Sequence, residues 1–61
     1  MMDWLLVVFL AMPGEQPTQA KIGMMNGAAI CDLTGRAVIA RLAIEEPEAR
    51  VGYVCLQEVA A

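Results

Sequence analysis

The chain of 61 residues contains no histidine and no serine, and its aromatic content is one Trp, one Tyr and one Phe. Without histidine there is no Ser-His-Asp triad and no Cys-His pair. Nor is there any side chain whose ordinary pKa lies near neutrality. The five glycines are scattered through the chain and form no phosphate-cradling loop. Two cysteines without an imidazole fall short of the four ligands a structural zinc needs, and no C-x-x-C spacing occurs. Glu45 and Glu46 are adjacent, so on a helix they point to different faces. Asp32 and Glu58 would need a pocket that so short a chain can hardly enclose. These absences argue against an enzyme, a cofactor and a metal centre. Lys21, Arg36, Arg41 and Arg50 are the only basic residues and none is clustered, which speaks against direct binding of DNA or RNA.

What the chain has in excess is apolar surface. Hydrophobic residues make up 59% of it and charged residues 18%. A chain of this length buries only about 60% of the surface it exposes when unfolded, so part of that apolar surface stays outside. Large exposed apolar patches mark interfaces, here with another protein or with a second copy. Alanine, which needs little burial, accounts for some of the excess. The net charge is −3. Glu45, Glu46 and Glu48 form a short acidic cluster that suits either a basic partner or a solvated helix end.

The run Trp4–Met12 is uninterruptedly apolar and ends at Pro13-Gly14. It is too short to span a membrane as a helix, which takes about twenty apolar residues. A cleaved signal and a buried strand remain as competing readings. For a signal, the apolar stretch fits, but Asp3 stands where positive charge belongs and the only acceptable cleavage site follows Ala20. For a strand, the β-branched and aromatic content fits, and the lack of alternation implies burial on both faces. The strand reading places the protein in the cytoplasm; the signal reading makes residues 1–20 a leader and the remainder an exported protein.

Downstream, Met12–Gln19 reads as a loop and residues 20–25 as a short edge strand carrying Lys21 and Gly23. Asn26-Gly27 offers a turn or a helix N-cap, with Asn26 the better capping residue. Ile30, Leu33, Ala37, Ala40 and Ile44 recur with spacing 3, 4, 3, 4 and share about 80° of a helical wheel, which predicts a buried stripe. The helix is expected over 28–46, ending before Pro47. Gly35 opposes it by about 1 kcal/mol, and a hairpin turning at 33–36 is the competing reading. Residues 51–58 read as a third strand, and Val59–Ala61 as a frayed end. The order is ββαβ, a single α+β domain over residues 1–61. It predicts a split β-α-β unit with strand order 2-1-3, strands at 4–11, 20–25 and 51–58, and the helix across one face.

That topology starts the helix at the end of the sheet where the last strand finishes, which brings Cys31 and Cys55 to the same end. A bridge between them would stabilise by roughly 3.5 kcal/mol in the chain-entropy model. Two buried free thiols are the alternative.

In its size, acidic balance and lack of catalytic side chains the whole chain resembles the accessory proteins of bacteriophages and mobile elements, anti-CRISPR inhibitors among them. The resemblance is one of profile and no motif carries it. It implies a non-catalytic protein that occludes a surface of a larger partner, an inhibitor of host defence being one such role. Asp32, Glu45, Glu46 and Glu48 would then meet a basic groove, with Met24, Met25 or Tyr53 as apolar anchors. An exported disulfide-stabilised protein and a self-assembling or virion subunit are the alternatives.

Overall fold

The apolar run becomes the central strand. In the computed structural model, which describes residues 3–58, the elements are β1 (Asp3–Ala11), β2 (Thr18–Met25), α1 (Ala28–Glu45) and β3 (Arg50–Glu58). They form one three-stranded antiparallel sheet of order β2-β1-β3 with the helix on one face, the expected ββαβ arrangement. Leu5, Leu6, Val7 and Val8 are all buried. Leu6 and Val8 lie under α1, while Leu5 and Val7 point to the other face between their neighbours on β2 and β3, and only a central strand has both edges paired. The Val59–Ala61 end lies outside the described residues.

Local chemistry sets each connection. β1 turns into β2 through Met12-Pro13-Gly14-Glu15, closed by a hydrogen bond from the Glu15 N–H to the Met12 carbonyl at 3.1 Å. Pro13 supplies the fixed φ of the first corner, and Gly14 takes φ 78° at the second, the combination of a type II turn. The Thr18 hydroxyl donates to the Leu10 carbonyl at 3.3 Å, so β2 begins two residues earlier than its apolar content indicated. Pairing runs from Val7↔Lys21 to Leu6↔Gly23, which makes Ile22 the extra residue of a β-bulge.

The helix is continuous through Gly35, so the hairpin at 33–36 does not form. It is capped at Gly27 rather than Asn26, without a side-chain cap. At its other end the Glu46 N–H donates to the Leu42 carbonyl at 2.7 Å, and the helix stops at Glu45, ahead of Pro47.

The face it buries is not the expected one. Ile30, Leu33, Ala37, Ala40 and Ile44 all lie outward, with Leu33 67% and Ile44 78% exposed. Cys31, Gly35, Val38 and Leu42 turn to the sheet instead, packed with Ile39 around Leu6 and Val8. Those four occupy about 60° of the wheel, centred about 150° from the expected stripe. Both stripes have helical spacing because the helix is apolar almost all round, so periodicity does not select between them.

Close approach selects the phase. Gly35 is buried, and a Cβ there would stand 2.7 Å from Cγ and Cε2 of Tyr53. The residue that costs helix propensity is thus the one that lets the helix backbone rest on the tyrosine ring. Gly35→Ala is expected to lower stability by about 1–3 kcal/mol through overpacking. In a Tyr53→Ala background the same substitution is expected to change sign and stabilise by up to about 1 kcal/mol, because only the propensity gain remains. Urea unfolding of the four variants measures this, and the same sign in both backgrounds would refute the contact.

Candidate functional site

Two groups of side chains stand out, a clasp that joins α1 to β3 and the apolar surfaces left outside it. The clasp consists of Cys31, Asp32 and Gly35 on the first turns of α1 and Tyr53 and Cys55 on β3. Cys31 and Cys55 are bridged, with Cα atoms 6.2 Å apart, and Cys31 is fully buried. Two positions away on β3, the Tyr53 hydroxyl donates to Oδ1 of Asp32. Oδ2 of Asp32 accepts from Arg36 Nε at 3.0 Å. Hydrogen bonding to Tyr53, and secondarily the Asp32 carboxylate, raises the Arg36 pKa above its ordinary value. Each group of this polar chain has a partner, and among the described residues no buried side-chain N or O atom lacks one.

Sequence reasoning grouped Asp32 with Glu45, Glu46 and Glu48 as one acidic surface. The structure separates them. Asp32 is half-buried in the clasp, while the three glutamates are exposed at the far end of α1 and in the turn after it. Thirteen residues of helix put about 20 Å between Asp32 and Glu45. Glu45 pairs with Arg41 at 3.0 Å, and Glu46 and Glu48 make no ion pair among the described residues. The apolar anchors divide in the same way. Tyr53 and Met25 pack against the core, whereas Met24 is about half exposed on the sheet face away from the helix.

Three apolar surfaces remain. The first is the outward stripe of α1, Ile30, Leu33, Ala37 and Ile44, continuous with the acidic end of the helix. The second is the sheet face opposite the helix, where the register aligns Leu5 with Met24 and Leu56, and Val7 with Val54. The third is a groove of about 330 Å³ between α1 and β2, lined by Val8, Leu10, Ala20, Ile22, Val38 and Leu42 among others. It exists because the helix packs chiefly on β3 and β1 and leaves the inner side of β2 uncovered. No titratable side chain lines it. Among the described residues no group of three or more His, Cys, Asp or Glu is placed to hold a metal ion. No helix there is long and apolar enough to cross a membrane.

Comparison of the chain with known protein families, curated protein sequences and solved structures finds no match. The outward helix stripe was missed as a surface because its spacing reads equally well as core. The signal that would have found it is the competing Cys31/Gly35/Val38/Leu42 stripe, whose glycine marks a close approach.

Reduction of the Cys31–Cys55 bridge is expected to remove about 3.5 kcal/mol, the loop-closure contribution for a separation of 24 residues. Domains of this size have about 3–9 kcal/mol in all, so urea unfolding with and without dithiothreitol should give widely separated midpoints. Coincident midpoints would show that the helix–sheet packing holds α1 without the bridge.

Proposed function

We propose that this chain is a non-catalytic binding protein that covers a surface of a larger protein, with the outward stripe of α1 as its contact element. The observation that carries the reading is the exposure of Ile30, Leu33 and Ile44 on one side of a helix whose other side is already docked. A helix that presents anchors at this spacing suits an apolar groove on a partner. Glu46 and Glu48, beside the end of that stripe and without ion pairs among the described residues, suit a groove with a basic rim. The clasp supports the reading by holding the helix rigidly, which lowers the ordering cost of association. Inhibition of a host-defence complex is one role within this class, and the surface has no feature particular to it.

An exported, disulfide-stabilised protein is the second reading, favoured by the Cys31–Cys55 bridge, since such bonds persist in oxidising compartments. Its processed form is disfavoured, because removing residues 1–20 would remove β1, with which both other strands pair. The first reading keeps the chain in the cytoplasm with residues 1–20 in place.

Leu33→Glu is expected to leave folding intact, its side chain being outside, and to abolish capture of the partner from a lysate of the native cell. Reversing Glu45, Glu46 and Glu48 to Lys is expected to weaken that capture, and Glu15→Lys to leave it unchanged. A captured protein that survives Leu33→Glu would refute the helix as the contact element. Capture unaffected by the glutamate reversals would refute the basic rim. Intact mass of the protein from its native cell separates the retained chain from one beginning at Lys21.

A further inference from the structure

Among the described residues no layer covers the face of the sheet opposite α1, although its central residues are placed as a core. Leu5 is 9% and Val7 6% exposed, each flanked by its register neighbours on β2 and β3, while Phe9, Met24 and Leu56 stand between about one-third and one-half exposed around them. The chain as a whole exposes 4533 Å², where a compact monomer of its mass exposes about 3,900 Å². We propose that this face is an interface between two copies of the chain, packed sheet on sheet about a two-fold axis that lies across the strands near Val7.

Charge placement selects both the occupant and the orientation. Alternation along the strands puts Asp3 on this face at one end of β1, with Glu58 at the register position beside it on β3, and Arg50, paired with Ala11, at the other end of β3. Asp3 and Arg50 are exposed, and neither makes an ion pair among the described residues. A two-fold axis across the strands reverses the second copy end for end, so each Asp3 lies diagonally over the Arg50 of the partner copy while the apolar middles coincide. An axis along the strands would instead bring Asp3 to Asp3. Lys21 of β2 falls opposite its own symmetry mate, but it is exposed on an edge strand, where a long side chain can carry its ammonium out to water. The contact is isologous and therefore closes at two copies.

The size of the face sets the strength. Three strands of this length cover roughly 30 by 14 Å, about 400 Å² on each copy. The total of about 800 Å² lies below the range of stable interfaces and in that of weak, transient ones, so a dissociation constant of about 10–100 μM or weaker is expected. The proposal is independent of the helix stripe, which lies on the opposite side of the molecule.

Sedimentation equilibrium of the oxidised full chain from about 1 μM to about 1 mM tests it. The expected result is a monomer–dimer equilibrium that Leu56→Lys weakens at least about tenfold, with the far-UV circular dichroism and the disulfide unchanged. Asp3→Lys and Arg50→Glu are each expected to weaken it roughly threefold to tenfold, and their combination to weaken it by less than the product of the two single effects. Leu33→Glu is expected to have no effect on it. A monomer at every concentration, whether free or adsorbed on phosphatidylcholine vesicles, would overturn the proposal. So would a dimer indifferent to Leu56→Lys, or one lost with Leu33→Glu. Growth beyond the dimer would overturn it too, in favour of open-ended stacking of helix on sheet.

Discussion

The contact between the Gly35 backbone and the Tyr53 ring is the constraint from which the remaining arrangement follows. A helix over a sheet is ordinarily held at a distance by side chains from both. Here one side chain is absent and the ring takes its space, which fixes the rotation of α1 about its axis. Once Gly35 faces β3, Cys31 and Asp32 one turn earlier reach Cys55 and Tyr53, and the bridge and the hydroxyl–carboxylate hydrogen bond form at the same seam. The three contacts support one another, and none of them needs the helix to have a single apolar face.

That constraint also decides what is left outside. A helix drawn toward β3 cannot cover β2, so a groove opens along Ala20 and Ile22. A helix rotated to present Gly35 must turn Leu33 and Ile44 to water. One helix covers one face of a sheet, so among the described residues those of β1 that point the other way have lateral neighbours and no layer above them. In a larger domain a second helix or sheet would cover these surfaces. Among the described residues they remain at the surface, where apolar area is available for association.

The architecture was legible in the sequence because it rests on strong local signals. The unbroken run at Trp4–Ala11 demands a central strand, Pro13-Gly14 demands a turn, and Pro47 ends the helix. With the order ββαβ, these leave few ways to bury the run, and the approach of Cys31 to Cys55 follows from the same topology. The helix face was not legible. Ile30/Leu33/Ala37/Ala40/Ile44 and Cys31/Gly35/Val38/Leu42 are both helical stripes, and the first is the more hydrophobic. Gly35 read as a defect in the helix, because propensity scales count a glycine's cost and contain no term for what it allows to approach. The relative placement of the acidic residues was not legible for a related reason: Asp32 and the glutamates share a charge but not an end of the helix.

The sequence by itself determined the number of elements, their order, the central place of β1 and the absence of histidine and serine chemistry. These depend on the identity of residues and on spacing over a few positions, where backbone preference and burial act locally. Only the tertiary structure decided which face of α1 is core, which of the charged residues are engaged and which surfaces stay open. Those depend on a steric fit between residues 35 and 53, eighteen positions apart. The energy of that fit belongs to the pair and is visible in neither residue alone.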